Sequence, residues 1–478
     1  MEKQRDIELI NALLNNKENE CLEFKGNNTD PKVIGKLCSA LSNSARILNK
    51  DHAYILWGVS DDGRIIGTNF NPNDENITKF KLSQALNPSI HCDFRLVTHQ
   101  DSNIVILEIP ATTIAPIEFN GTAYVRIGSA TPKLSDHLDK MRILMKNLQT
   151  YTWEQEVAKQ FLTADEVLSY LACEVYFKLI SQTPPQNIDE KLQYLEKDNI
   201  VKKDIGNKWN ILNLGALLLA NNLNDFGVSI ARKGVRFTAY NGDNKAEVVS
   251  HRKEGSRGYA IALEGLVTYI NDLLPNSETI GEVYRQTNAP FPKIAIREII
   301  ANALIHQDMT ITGAGPQVEL FNNRLEVTNP GKSLNDIDRI IDLPPRSRNE
   351  GLAGLMRRMK LCEEQGSDMD KIIYSVEEAQ LPAPIFRTYD NSTQVILYAY
   401  RPFSDLTTEE RIRACYQHAV IKYISGKKLK NSGLCTRFGV KKGNESQVTK
   451  VIKNALSEGL IKIADTESPR SGYYPFWV

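Results

Sequence analysis

The 478-residue sequence has no excess of charge of either sign, because 58 Lys and Arg face 58 Asp and Glu. Such a chain has no global attraction to nucleic acid or to an anionic membrane, so any basic surface must be local. Cysteine is sparse. The seven, at positions 21, 38, 92, 173, 362, 415 and 435, include no CxxC pair, so neither a zinc knuckle nor a disulfide framework is suggested and a reducing compartment fits. No apolar run approaches the roughly 20 residues of a membrane span. The start, MEKQRDIELINALLNNKENE, is amphipathic and rich in acids, unlike a signal peptide. A cytoplasmic protein with no membrane partner is expected. Internal repeats and low-complexity tracts are also lacking.

What is present reads as a folded chain: 41% of residues are hydrophobic, 24% are charged, and Gly and Pro are ordinary. The length suggests about three or four domains. In the first block Asp6 to Leu14 reads as helix, CLEFKG (21–26) as a short strand and PKVIGKLCSALSNSARIL (31–48) as an amphipathic helix. AYILWGV (53–59) is a buried strand ending in the turn DDG (61–63). NIVILEIP (103–110) and TAYVRIG (122–128) are further strands, and Leu134 to about Gln160 turns helical at a domain boundary. Residues 161 to 229 read as helices around Pro184-Pro185, with KLQYLEKDNIVKKDIGNKWNIL forming a helix and a small β-wing. Residues 230 to 402 mix the strands GVRFTAY, QVELF, RLEVTN and QVILYAY with a helix at 297–310 and a long helix near 349–365. From Asp405 the pattern is mainly helical.

The helix REIIANALIHQDMT (297–310) carries the most informative pattern. Ile296, Ile299, Ile300, Ala303 and Leu304 recur at helical spacing, while Glu298, Asn302 and His306 recur every four residues. The bland reading of that polar stripe is a solvated face. Its surroundings argue otherwise. VELFNNRLEVTNPGKS (318–333) is a hairpin through Asn322-Asn323 followed by a tight turn, and then come LPPRSRNEG (343–351) and GLAGLMRRMKLCEEQGSDMD (351–370). Together these stretches resemble the ATP-binding domain of the GHKL class, and more closely its divergent version in RecG-like regulators. The resemblance implies ATP and Mg²⁺ as cofactors. Asn302 would offer Mg²⁺ a hard oxygen ligand, and Glu298 would orient or deprotonate an attacking water. His306 and Asp308 would line the mouth, Asn329 would face the base, and Gly331, Gly351, Gly354 and Gly366 would let backbone approach the nucleotide. Gly331-Lys332-Ser333 is not the end of a P-loop, since Glu326 stands where the first glycine would be. Two departures count against hydrolysis. Asn329 stands where many of these ATPases have Asp, and Gly366-Ser367-Asp368 puts an acid beside the phosphates.

The first block has its own resemblance. KENECLEFK (17–25), ALSNSARILN (40–49), ILWGVSDDGRIIG (55–67) and TAYVRIGSATPKLS (122–135) resemble the Schlafen-type AlbA-like (AlbA_2) domain over about residues 15 to 140. In some members three acids form a metal-dependent endoribonuclease site. The matching residues are Glu18, Glu23 and Asp61, with Lys25 beside them, and clustered carboxylates of this kind can hold Mg²⁺ or Mn²⁺. The bland reading is that Glu18 is solvated and Asp61 only makes the turn.

From Asp405 onward 13 Lys and Arg face 7 Asp and Glu, a local excess of positive charge. Three helices and two short strands follow one another, the order of a winged helix-turn-helix. Ser446, Gln447, Lys450 and Lys453 would lie on the open face of the third helix, with Val448, Val451, Ile452 and Leu456 inward. This suits a phosphate surface, although winged helices also bind proteins.

The expected fold class is α+β and multidomain. A Schlafen AlbA-like domain would span 1–145, a helical connector with a small wing 146–229, a GHKL-like α/β sandwich 230–402, and the winged helix 405–478. The expected function is an ATP-binding, nucleic-acid-binding protein of regulator type, with DNA or RNA as partner and self-association into a homo-oligomer. The alternative is an ATP-gated, metal-dependent nuclease acting in stress or phage defence. The acidic set and the glycine motifs discriminate the two.

Overall fold

Asp30 and Pro31 start the second helix of the chain by complementary means. The Asp30 carboxylate accepts the backbone N–H of Lys32 at 2.9 Å, and Pro31 fills the first helical position, where no donor is needed. The structure, a computed structural model, describes residues 2–72, 82–91, 93–274, 277–280, 285–288, 290–362, 368–468 and 471–478. It is a mixed α+β chain with helices and several sheets. Two compact units divide it: Met1–Val157 with Lys203–Asn210, and Ala158–Lys202 with Ile211–Val478. Among the described residues no helix is long and apolar enough to cross a membrane.

The first unit contains α1 (Glu2–Leu14), β1 (Leu22–Lys25), α2 (Pro31–Ile47), β2 (His52–Trp57), β3 (Asp93–His99), β4 (Ser102–Pro110) and α3 (Leu138–Thr150). Its main sheet has the order β1-β2-β4-β3, with β1 parallel to β2 and the other pairs antiparallel. A core of Ile34, Leu41, Ile55, Trp57, Phe94, Leu107 and Phe119 fills the space between α2 and the sheet. Gly35 lets α2 sit against Phe119, whose ring would lie 2.1 Å from any Cβ there. The buried polar residues of α2 serve the chain beyond it. Asn43 donates to the carbonyls of Ile117 and Tyr124, each at 2.9 Å, and Ser44 Oγ accepts from Arg126 N at 2.8 Å. This explains one difference from expectation. TAYVRIG is a strand only at Thr122–Ala123, because its later backbone bonds go to α2 and to local bridges at Tyr124 and Ile127. The helix expected to run to Gln160 also stops, at Thr150, and Val157–Leu162 is extended.

Short helices at Ala164–Tyr170, Cys173–Leu179 and Ile188–Lys197 follow, then two short strands at Val201–Lys203 and Trp209–Leu212. A capping box between Thr163 and Glu166 starts the first of these helices.

The second unit is organised by a six-stranded sheet. Its strands are β5 (Arg236–Tyr240), β6 (Val249–Glu254), β7 (Gln317–Leu320), β8 (Arg324–Pro330), β9 (Ile385–Tyr389) and β10 (Ser392–Tyr398), in the order β6-β5-β7-β8-β10-β9. Only β5 and β7 pair in parallel. Helices α4 (Tyr259–Leu273) and α5 (Lys293–Ile305) lie together, and α5 also packs on β8 and on α7 (Asp368–Glu378). The helix expected near 349–365 is shorter: α6 (Glu350–Arg358) ends where Lys360 takes a positive φ. The chain closes with α8 (Thr408–Ile424), α9 (Asn431–Phe438), α10 (Glu445–Ser457) and the antiparallel strands β11 (Ile461–Ile463) and β12 (Tyr473–Pro475).

Candidate functional site

Helix α5 is buried on nearly every face, so its polar stripe is not a solvated one. Glu298 is 2% exposed and Asn302 7%. Four residues of a helix turn about 40° more than one full turn, and that drift separates the stripe. Asn302 and His306 line a cavity together with Ile299 and Ala303, whereas Glu298, one turn back, is not part of its lining. Glu298 Oε1 lies 3.6 Å from Arg297 Nη1 instead. The role expected for Glu298, orienting a water at the nucleotide, is therefore not placed on the cavity wall.

The cavity encloses about 850 Å³ of space when its open, solvent-filled mouth is included. Strands β8 and β10 supply Val327, Asn329, Thr393 and Val395, and the register pairs Asn329 with Thr393. The loop 331–348 supplies Leu343, Ile340, Ile341, Arg346 and Arg348, and α7 adds Met369. The walls are thus mainly apolar, with the amides of Asn302, Asn329 and Asn335, the His306 imidazole and two loop arginines among the lining groups. Asn302 Nδ2 is buried and has no hydrogen-bond partner among the described residues. Among the described residues, Asn329 Nδ2 donates only to the neighbouring Pro330 carbonyl, at 3.2 Å. Burial holds the His306 imidazole below its usual value; a bond with the Arg346 backbone opposes this, and the Arg348 and Arg357 charges reinforce it.

Asp308 and the glycines do other work. Gly331 has φ +101°, and a Cβ there would meet Asp308 Cβ at 2.7 Å and Asp308 N at 2.9 Å. Asp308 N in turn donates to Pro330 O at 2.8 Å. Gly331 therefore makes room for the chain after α5, not for a nucleotide. Asp308 caps its own turn through Thr310, at 3.0 Å to N and 2.6 Å to Oγ1, and its other oxygen lies 3.9 Å from Arg348 Nε. Gly351 sits in the first turn of α6, outside the cavity lining, and a Cβ at Gly354 would meet nothing within 4 Å. Gly366 lies outside the described residues.

Sequence reasoning passed over Arg346, Arg348, Thr393 and Asn349. Asn349 is buried, and its Nδ2 donates to the carbonyls of Ile305 and Gln307, both at 2.8 Å. Ser347 Oγ reaches Ile305 O at 3.3 Å, and Arg348 Nη2 donates to Lys332 O at 2.9 Å. The stretch RSRN thereby docks on the C-terminal end of α5 and brings its arginines to the cavity. The available signal was the pair of arginines just before a helix start.

The acidic set of the first unit is arranged differently from the expectation. Glu23, 5% exposed, gives one oxygen to Lys25 and the other to Arg126 Nη2 at 2.5 Å. Arg126 is 1% exposed and also donates to Thr131 Oγ1 at 3.2 Å. Glu18 accepts the backbone N–H of Phe24 at 2.7 Å, and Asp61 is exposed in the turn after β2. Among the described residues no three of His, Cys, Asp and Glu form a group that could hold a metal ion. Glu18, Glu23 and Asp61 thus stand here as a backbone cap, a carboxylate paired with two cations and a turn residue.

At the C-terminal end the four residues expected to face a nucleic acid do share one side. Ser446, Gln447, Lys450 and Lys453 of α10 are exposed, while Val448, Val451, Ile452 and Ala455 are buried against α8 and α9. Leu456 is partly buried in the same core. Asn431 Nδ2 donates to Thr449 Oγ1 at 3.0 Å and ties α9 to α10.

Comparisons with known proteins agree with two of these regions. Residues 18–135 match the family model described as Schlafen, AlbA_2, and residues 313–397 match the one described as "Putative ATP-dependent DNA helicase recG C-terminal". The chain combines an AlbA_2 domain with an ATPase-like domain. No curated protein matches it. Among solved structures, the DIP2311 protein from Corynebacterium diphtheriae is similar at 15% identity and a TM-score of 0.44, over 99% of this chain and 97% of that one. The N-terminal domain of the "Putative ATP-dependent DNA Helicase RecG-related Protein" from Nitrosomonas europaea is similar at 22% identity and a TM-score of 0.18, over 26% of this chain and 89% of that one.

Proposed function

We propose that this protein, which joins an AlbA_2 domain to an ATPase-like domain, is a nucleotide-responsive nucleic-acid binder of regulator type. Its cavity takes ATP with Mg²⁺. The observation that carries the reading is the buried Asn302 Nδ2, a donor without a partner among the described residues, in an apolar-walled cavity flanked by Arg346 and Arg348. A buried polar group without a partner is costly, and a polar ligand removes that cost. The amide can present its oxygen to a hard cation, and the guanidinium groups suit phosphate oxygens. Ile299, Val327 and Val395 offer the apolar surface that a flat base needs. Bound Mg²⁺ would offset phosphate charge. Since Glu298 lies off the cavity wall, binding and switching are favoured over turnover.

The second half of the proposal concerns nucleic acid. The exposed face of α10, with Lys450 and Lys453, lies in a segment with 13 basic and 7 acidic residues, and a winged helix reading accounts for that face. The nuclease reading lacks comparable support, because Glu23 is engaged by Lys25 and Arg126. Two titrations of the full-length protein test the proposal. Calorimetry with Mg·ATP should show binding in wild type and its loss in Asn302→Ala. Duplex DNA should bind more weakly as salt rises; a salt-independent affinity would point to a protein partner.

A further inference from the structure

We propose that the C-terminal helices hold one wall of the nucleotide cavity in place, with Tyr416 and Trp477 as the positioning residues. This inference rests on the reading of the cavity as a nucleotide site. The wall is the loop 331–348, which contains a single helical turn at Ile337–Arg339. A loop that long needs outside support to keep one shape. Its cavity side presents Ile340 and Ile341. Its other side is fastened to residues far along the chain. The Tyr416 hydroxyl donates to Asp338 O at 2.5 Å, and the Trp477 indole N–H donates to that same hydroxyl at 3.2 Å. The Arg339 guanidinium lies 4.5 Å from the centre of the Trp477 ring. Ile341 belongs to the apolar core built by α8, α9 and α10. A second link runs along α7. Met369, near its start, lines the cavity, and Glu377, near its end, bonds His418 Nδ1 of α8 at 2.9 Å.

Releasing the wall lets the loop sample other shapes, so the fraction of molecules competent to bind falls and apparent affinity falls with it. Linkage also requires the reverse: a ligand that stabilises the wall must stabilise the fastening behind it. The experiment is a Mg·ATP titration of full-length wild type, Trp477→Ala, Trp477→Phe and Tyr416→Phe, with amide hydrogen exchange measured over residues 408–424. Trp477→Ala should raise Kd roughly tenfold, Trp477→Phe should recover most of that loss by keeping a ring under Arg339, and Tyr416→Phe should raise Kd about threefold. Exchange over 408–424 should slow with Mg·ATP in wild type and not in Trp477→Ala, a response that a purely structural role would not produce. Wild-type binding with unchanged or tighter affinity in both Trp477→Ala and Tyr416→Phe overturns this proposal alone. A wild type that takes no ATP overturns the nucleotide reading, and this proposal with it.

Discussion

Replacing Asn349 by Ala removes both hydrogen bonds that close the C-terminal end of α5. The side chain donates to Ile305 O and Gln307 O at 2.8 Å each, and Ser347 Oγ still reaches Ile305 O at 3.3 Å. The variant therefore loses two buried bonds and leaves chiefly the Gln307 carbonyl bare. At about 1 kcal/mol for each bond, with a further penalty for the buried acceptor left unpaired, the loss should be about 2–3 kcal/mol. For a folding unit of this size, Ala158–Lys202 with Ile211–Val478, that corresponds to a fall in melting temperature of about 3–5 °C. The functional effect follows from geometry. Ser347 and Asn349 dock the segment that carries Arg346 and Arg348, so Mg·ATP affinity should fall as well. Asn349→Asp is the informative control. A carboxylate cannot donate and would face two carbonyl oxygens, so it should lose at least as much stability as Ala. Scanning calorimetry of the three proteins, followed by ATP titration, reads both effects. A melting temperature for Asn349→Ala within 1 °C of wild type would refute the reasoning.

Further expectations follow from other parts of the chain. Burial holds the His306 pKa below the ordinary value of about 6.5, so the unfolded chain takes up a proton there before the folded one does. Its contribution to stability should be complete above pH about 6.5 and decline as pH falls below that value; melting scans at pH 7.5 and 5.5 should show a larger loss in wild type than in His306→Gln, and an equal loss would contradict this. Glu23→Ala strands the buried Arg126 and should cost about 3–5 kcal/mol in chemical denaturation. Mn²⁺ should give no melting shift that Glu23→Gln abolishes; finding one would return the acidic set to a metal role. Lys450→Ala and Lys453→Ala should each lower the salt slope of duplex DNA binding by about one unit, and an unchanged slope would remove α10 from the interface.

Much of this architecture is legible in short-range pattern. The spacing of Ile296, Ile299, Ile300 and Leu304 gives α5, and the run AYILWGV gives β2. The inward and outward faces of α10 also follow from period alone. Of the candidate site residues, Asn302 and His306 from the end of α5 and Asn329 from β8 line one cavity. Three kinds of error have physical causes. A four-residue stripe drifts around a helix, so Glu298 leaves the face that Asn302 occupies. Glycine patterns do not reveal what fills the space: at Gly331 it is Asp308, not a ligand. Contacts between distant segments carry no local period at all. Arg126 was read as a strand residue, yet it reaches back across the chain to neutralise Glu23. The loop LPPRSRNEG is held at the cavity through Asn349, whose amide bonds the distant carbonyls of Ile305 and Gln307. The two resemblances read in the sequence overlap the two matched family models, at 18–135 and 313–397.

The central claim is that the cavity between α5, β8, β10 and the loop 331–348 binds a magnesium nucleotide. Isothermal titration of the full-length protein with ATP, with and without Mg²⁺, alongside Asn302→Ala and Arg348→Ala, tests it most directly. The account predicts one site per chain, strengthened by Mg²⁺, abolished in Asn302→Ala and weakened roughly tenfold or more in Arg348→Ala, which removes a charge-assisted phosphate contact. No heat of binding in wild type, or equal affinity in wild type and Asn302→Ala, would contradict it.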